Sequence, residues 1–170
     1  IYVTGYTQDL ILTRKQMHDL GLSAPIVTMI TGPAYREFVD GLGPLANGIT
    51  TSSWWHFSTP YTSADVWGST QAFYDDFMSV EESEPDYVHA SSAAALVALQ
   101  KAIESAGSLE PARIRDALAA LDITTFYGPI RFGANGMNAG RDLPILQVQD
   151  GQVKVLFPAA ISSATLAVFH

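Results

Sequence analysis

Short apolar runs alternate with segments of helical periodicity over the first third of the chain. The β-like runs cover residues 1–3, 26–30 and 48–55. The helical segments between them cover residues 9–20 and a stretch that opens at Gly32-Pro33. Because this order is β-α-β-α-β, it predicts parallel strands joined by right-handed crossovers. The pattern therefore predicts an α/β fold with parallel strands flanked by helices.

The rest of the chain predicts helices followed by a closing β-hairpin. Helices are expected at residues 66–78, 87–106 and 111–121, and strands at 128–132 and 143–148. Asp150-Gly151, between Val148 and Val153, fits a two-residue hairpin turn, because both central positions of that turn need positive φ. Residues 58–63, which include Pro60, read as a linker.

Composition and charge exclude several classes of protein. The chain has 170 residues, of which 48% are hydrophobic, so it can bury a substantial core. Lys and Arg total 9 against 17 Asp and Glu, and the net charge of −8 repels nucleic-acid phosphates. No apolar run reaches the roughly 20 residues of a membrane-spanning helix. We therefore expect neither a nucleic-acid partner nor a membrane-spanning helix.

The sequence offers little support for catalysis, metal or cofactor binding. Cysteine is absent, and His18, His56, His89 and His170 are not spaced to share a metal ion. Ser52, Ser53 and Ser58 lie near His56, as a hydrolase would need, but no G-x-S-x-G motif accompanies them. We therefore assign no catalytic residue, no metal ligand and no cofactor, and the protein is not predicted to be an enzyme.

Aromatic and polar residues gather where the predicted strands end. Trp54, Trp55 and His56 close the third strand, Tyr6 follows the first and Thr31 follows the second. Open α/β sheets bind ligands at the carboxyl ends of parallel strands. In a strand, Trp54 and Trp55 face opposite sides, so one is expected in the core while the other lines a cleft. These five residues are the predicted ligand-binding site.

Five segments occur in the order residues 2–22, 46–55, 86–107, 128–136 and 157–160. In this order, they resemble the type I periplasmic solute-binding proteins of branched-chain amino acid ABC transporters, the family of the leucine/isoleucine/valine-binding protein. The resemblance implies a periplasmic binding protein type I-like fold, with two lobes joined by a hinge. Such proteins are about twice as long as this chain. The chain resembles their carboxy-terminal half, and we expect it to be a fragment with incomplete lobes.

The resemblance also implies a division of the chain. Residues 1–48 would belong to the second, carboxy-terminal lobe, and residues 49–64 would form a hinge-crossing strand and linker. Residues 65–156 would belong to the first, amino-terminal lobe, including its helices and the β-hairpin. Residues 157–170 would form a tail that returns across the hinge.

By this resemblance, the protein is an extracytoplasmic, most simply periplasmic, receptor of an ABC importer. It would close on a small ligand in an interlobe cleft and present that ligand to a membrane permease. Tyr6 matches a ligand-contacting tyrosine, whereas Thr31 falls where amino-acid-binding members carry an acid that pairs with the ligand's ammonium group. This departure leaves open an amino acid, an aromatic or aliphatic carboxylate, or an amide as the ligand.

Two further expectations concern partners and alternatives. The incomplete lobes predict association with a missing N-terminal half or with a second copy of the chain. One alternative function is a ligand-sensing domain of the same fold in a signalling system. Another is an α/β hydrolase that uses His56.

Overall fold

The computed structural model describes residues 1–168, and the chain forms two compact units. Unit 1 comprises Ile1–Ser58 together with residues 143–168, and unit 2 comprises Thr59–Asp142. Among the helices of residues 1–168, none combines the length and apolar character needed to span a bilayer.

Unit 1 is built on a five-stranded sheet in the order β1-β2-β3-β6-β7. Its strands are β1 (Tyr2–Gly5), β2 (Thr28–Thr31), β3 (Thr50–Ser52), β6 (Ile145–Gln149) and β7 (Gln152–Phe157). The first three strands run parallel, as predicted, and β6 and β7 add to them in antiparallel fashion. The α/β architecture predicted from the sequence is confirmed.

One face of this sheet packs against two helices. Helix α1 (Thr7–Asp19) buries Leu10, Ile11 and Met17, and helix α2 (Arg36–Leu42) buries Phe38, Val39 and Leu42. Met29 of β2, Ile49 and Val148 of β6 belong to the same aliphatic core, with Val3 and Val153 packed against it. The alternation of side chains along a strand places these apolar residues on one face.

Unit 2 is mainly helical. Its elements are α3 (Thr70–Met78), α4 (Tyr87–Ala106), α5 (Pro111–Ala119) and an antiparallel pair formed by β4 (Asp122–Thr125) and β5 (Gly128–Arg131). Asp86 caps α4 by accepting hydrogen bonds from the N–H groups of Val88 and His89, and Gly107 ends it with a φ of 56°. These signals explain why the bounds of α4 agree with the prediction.

The core of unit 2 is aromatic. Phe73 stacks on Phe126 with ring centroids 4.1 Å apart, and Trp67 meets both rings edge-on at 5.0 and 4.8 Å. The Asp65 carboxylate ties this cluster together, because it accepts hydrogen bonds from the N–H groups of Trp67, Gly68 and Phe126. Rings from a loop, a helix and a turn thus form one small core.

The compact units of the structure group the chain differently from the predicted lobes, and the division into lobes stays a prediction. The closing hairpin belongs with residues 1–58 rather than with 65–142, because β6 pairs with β3 through Thr50–Gln147, Thr51–Leu146 and Ser52–Ile145. The chain therefore re-enters unit 1 between Asp142 and Leu143, before the predicted tail 157–170. The described part of that tail lies with unit 1, and Phe169 and His170 lie outside the described residues.

One predicted strand has a different end in the structure, and one strand was not predicted. The third strand ends at Ser52 instead of residue 55, since the Ser53 hydroxyl donates a 2.8 Å hydrogen bond to the Trp55 carbonyl and turns the chain. Strand β4, with the short sequence Asp-Ile-Thr-Thr, was not predicted. The hairpin turn is confirmed: Asp150 and Gly151 have φ values of 51° and 72°.

Candidate functional site

Three strand ends of unit 1 meet at one edge of its sheet. Gly5, the last residue of β1, pairs in register with Thr31, the last residue of β2, and Tyr6 follows directly. The pairing of Thr28 with Thr50 brings the end of β3, and with it Ser53 and Trp54, to the same edge. In sheets of this type, the carboxyl edge of parallel strands is the usual place for a ligand.

Two aromatic side chains at this edge are open to solvent. Tyr6 is 81% exposed and Trp54 is 51% exposed. Large aromatic groups are costly to leave in water, and they bind apolar ligands through their faces while offering a polar atom at the rim. Tyr6 and Trp54 are therefore well placed to contact a small, partly apolar ligand.

Trp55 and His56 have a different environment from Trp54. Trp55 is 1% exposed and His56 is 5% exposed, so neither side chain presents much surface to a ligand. The sequence predicted that Trp54 and Trp55 would differ in this way, one buried and one open. Contact between the ligand and Trp55 or His56 stays a prediction.

His56 is held by its own chain segment. Its Nδ1 lies 2.8 Å from the Ser58 Oγ and accepts the Ser58 backbone N–H at 3.2 Å, and its ring stacks on Phe57 at 4.3 Å. Burial lowers the pKa of His56 from 6.5 to about 4. A base with so low a pKa is poorly matched to general-base catalysis near neutral pH. The two contacts between His56 and Ser58 close a short turn in the segment that leaves β3.

Thr31 has a strained backbone. Its φ of 90° and ψ of −60° lie in a region that β-branched residues rarely adopt, close to the strained form of the three-residue γ-turn. Gly32, which follows, is packed: a Cβ there would lie 3.0 Å from Leu10 and 3.2 Å from Phe38. The turn thus places its unusual dihedral angles on Thr31, which the sequence pattern did not indicate.

A second polar cluster, which the sequence analysis missed, lies within unit 2. The Arg141 guanidinium sits 4.5 Å from the centre of the Tyr127 ring. Burial raises the pKa of Tyr61, and the positive charge of Arg141, together with its hydrogen bond to Tyr61, opposes part of that rise. A Cβ added to Gly128, which has a φ of 107°, would come within 2.8 Å of the Tyr61 ring and 3.0 Å of Arg141. The cluster depends on a glycine at this position.

Within residues 1–168, no three or more His, Cys, Asp or Glu side chains come together as a group able to hold a metal ion.

Three solved structures of similar fold are each longer than this chain. A leucine binding protein from Thermotoga maritima MSB8 is 22% identical, with a TM-score of 0.71, and the match covers 92% of this chain and 43% of that protein. A putative branched-chain amino acid ABC transporter protein from Silicibacter pomeroyi is 19% identical, with a TM-score of 0.77, over 97% and 46% of the two chains.

A third similar structure is a branched-chain amino acid transporter substrate binding protein from Streptococcus pneumoniae, solved in complex with isoleucine. It is 22% identical with a TM-score of 0.69, and 93% of this chain matches 44% of that protein. The chain thus spans less than half the length of these structures, whose fold it shares. The sequence profile described as "Periplasmic binding protein" matches residues 1–152. The chain belongs to the periplasmic binding protein family.

Proposed function

We propose that this chain is part of an extracytoplasmic solute-binding receptor of an ABC importer. The receptor binds an amino acid, or a related small carboxylate or amide, and hands it to a membrane permease. The observation that carries the proposal is the meeting of Tyr6, Thr31 and Trp54 at the carboxyl edge of the unit 1 sheet. Family membership supports the receptor role. Two of the similar structures, a leucine binding protein and a substrate binding protein in complex with isoleucine, support the ligand class.

The chemistry of the edge favours a ligand with an apolar part and a few polar atoms. Tyr6 and Trp54 supply aromatic surface, and Thr31 supplies a hydroxyl group that makes no hydrogen bond to another residue of the described chain. A ligand that buries a small aliphatic or aromatic group against the rings gains about 25 cal/mol for each Å² of apolar area removed from water. An aliphatic side chain such as that of leucine fits this arrangement.

We also propose that a companion half completes the receptor. The sheet face opposite the helices carries Tyr2, Thr28, Ile30 and Thr50 and borders a cavity of about 470 Å³. Residues near the carboxyl terminus cover this face only in part, where Gln147 donates to the Ala167 carbonyl and Gln149 to the Thr165 carbonyl. Parallel strands are normally covered on both faces, so this face suits helices from a companion half.

The companion proposal is tested by joining this chain to the part of the Thermotoga maritima protein that it does not match. We expect the chimaera to be monomeric and to melt several degrees above the 170-residue chain, because the open sheet face becomes buried. Size-exclusion chromatography with light scattering and thermal denaturation measure both properties. If the 170-residue chain alone forms a stable dimer, and this dimer has the same Tm as the chimaera, the partner is instead a second copy of the chain.

The ligand proposal is tested by a thermal-shift screen of the purified full-length gene product. The panel contains leucine, isoleucine and valine, aromatic and aliphatic carboxylates, and their amides. A ligand at 100 times its Kd adds about 2.7 kcal/mol to the free energy of unfolding, which raises Tm by several degrees. We expect such a shift with at least one aliphatic compound. The absence of any shift across the panel would contradict the receptor proposal.

A further inference from the structure

A buried glutamine of β6 lies on the open face of the unit 1 sheet, which is the face opposite α1 and α2. The Gln147 side chain is 1% exposed. Its Nε2 donates to the carbonyls of Gly48 and Ala167, at 2.9 and 2.8 Å. Its Oε1 accepts from the Ala167 N–H at 2.8 Å and from the Gln149 Nε2 at 2.7 Å. The amide thus uses both donors and both acceptor positions, and it holds the main chain of Ala167 from both sides.

Gln149 makes a similar contact two residues along the same strand. Its Nε2 also donates to the Thr165 carbonyl, at 2.7 Å. Side chains two apart on a strand share a face, and residues two apart in an extended segment present their main-chain groups in the same direction. The spacing of Gln147 and Gln149 therefore matches the spacing of Ala167 and Thr165. The two glutamines contact the main chain of the segment in register.

The side chains of residues 163–168, which we call the strap, add little to this contact. Residues 165–168 are all exposed, and Leu166 and Val168 each keep 45% of their surface in solvent. At the start of the strap, the Ser163 N–H donates to the Val155 carbonyl at 2.8 Å, and the Ser163 Oγ accepts from the Val155 N–H at 3.1 Å. Because hydrogen bonds rather than buried apolar area hold the strap, it opens locally more easily than the sheet unfolds.

The strap also forms one wall of the cavity on the open face. Leu166 lines this cavity of about 470 Å³, together with Ile30, Thr50 and Ile145 of the sheet. When the strap leaves, the cavity loses this wall and the Gln147 amide loses two of its four hydrogen bonds. Unpaired polar groups at a buried position are unfavourable. The released site therefore favours another main chain in the same place.

We propose that Gln147 and Gln149 form a binding site for an extended peptide, and that the strap is its resident, releasable occupant. The site recognises N–H and C=O groups of the main chain, as in β-strand addition, whatever the side chains of the peptide are. Gln147 pairs with Thr50, the first residue of β3, so the site lies at the amino ends of the parallel strands. It is distinct from the candidate solute site at their carboxyl edge.

Hydrogen exchange of the full-length gene product tests the strap. Gln147→Leu removes the amide at similar volume, and it should speed exchange of residues 163–168 about tenfold or more while β1 and β2 stay protected. Gln149→Ala is a milder change and should speed the same exchange about threefold. Gln152→Ala is the matched control, because Gln152 is an exposed residue of β7 whose side chain accepts from Lys154. It should leave the exchange of the strap unchanged.

Two results of this experiment overturn the proposal. The first is unchanged exchange of the strap in both Gln147→Leu and Gln149→Ala, which removes the glutamines as its anchors. The second is a wild-type strap that exchanges only when the whole sheet unfolds, which means that the strap is not releasable.

A peptide titration tests the site itself. The host is the variant Ala167→Pro of the full-length product, whose strap lacks the N–H that Gln147 accepts and is therefore released. A labelled peptide with the sequence of residues 162–168 should bind this host with saturation. It should bind the wild type about tenfold more weakly, because the tethered strap competes. Methylation of the peptide nitrogen that corresponds to Ala167, or Gln147→Leu in the host, should each weaken binding about tenfold.

A scrambled peptide of the same composition should bind the host like the original, because the main chain is recognised. Binding that survives either the methylation or Gln147→Leu, or binding that is lost on scrambling, overturns recognition of the main chain. The absence of saturable binding to Ala167→Pro overturns the site. Neither experiment uses a solute ligand, so failure of the receptor proposal leaves these outcomes unchanged.

Discussion

Units 1 and 2 are stabilised in different ways. Unit 1 has an aliphatic core between helices and a five-stranded sheet, built from residues such as Leu10, Met29 and Val148. Unit 2 has a two-stranded sheet and an aromatic core centred on Phe73 and Phe126. A parallel sheet gathers distant strand ends at one edge, which is where the candidate site lies. An aromatic cluster fixes loops to helices and offers no such edge.

The sharpest test of this contrast removes one core side chain from each unit. Phe126→Ala should lower the free energy of unfolding by about 3–5 kcal/mol, and Met29→Ala by about 2–5 kcal/mol, since both side chains are fully buried. Hydrogen exchange should locate the loss of Phe126 in unit 2 and the loss of Met29 in unit 1. Equal loss of amide protection in both units by either variant would show that the two cores are not separate.

A glycine substitution tests the polar cluster of unit 2. Gly128→Ala should lower stability by about 2–3 kcal/mol, because the new Cβ overlaps the Tyr61 ring and the backbone there has positive φ. Gly68→Ala is the matched control, since Gly68 also has positive φ but no atom within 4 Å of its Cβ position. It should cost about 1 kcal/mol. Urea denaturation measures the free energy of unfolding of both variants. Equal losses of stability would show that the Cβ at position 128 meets no more resistance than the one at position 68.

The buried imidazole of unit 1 predicts a pH dependence. The pKa of His56 falls from 6.5 to about 4 on folding. Between pH 4 and pH 6.5, His56 therefore carries a proton in the unfolded chain but not in the folded chain. Stability should be greatest above pH 6.5 and fall by up to about 1.4 kcal/mol per unit as pH drops towards 4. His56→Asn should flatten this slope, whereas His18→Asn, an exposed control, should not. An unchanged slope in His56→Asn would contradict the assignment.

The smallest expected effect concerns strain at the candidate site. Thr31→Gly should raise stability by about 1 kcal/mol, since glycine adopts positive φ freely while losing more chain entropy on folding. Asp150→Gly relieves the same kind of strain at the hairpin turn, far along the chain from the site. We expect only Thr31→Gly to weaken ligand binding as well. Denaturation and titration together distinguish the two variants, and equal binding by both would remove Thr31 from the site.

Local signals predicted much of the fold. Helical periodicity predicted α4 at residues 87–106, and Asp150-Gly151 predicted the hairpin turn. Chain order alone did not show which sheet the hairpin joins, because pairing of β6 with β3 links residues almost a hundred positions apart. The aromatic core of unit 2 was missed for a related reason, since Trp67 and Phe126 share no periodic pattern.

The candidate site was predicted in part. The order of strands brought Tyr6, Thr31 and Trp54 to one edge, because parallel strands end on the same side. The early end of β3 buries Trp55 and His56 beside the exposed Trp54. The close packing of Gly32 beside the strained Thr31 is not visible in the hydrophobic pattern.

We propose that a small ligand binds at the carboxyl edge of the unit 1 sheet, beside Trp54. The most direct measurement is a calorimetric titration of the purified full-length gene product with leucine. It compares the wild type with Trp54→Ala and Leu12→Ala. Leu12 is an exposed apolar residue of α1 and serves as the control. We expect Trp54→Ala to weaken binding about tenfold or more, as loss of a central aromatic contact does, and Leu12→Ala to bind like the wild type. Equal affinity in all three proteins would contradict the placement of the site.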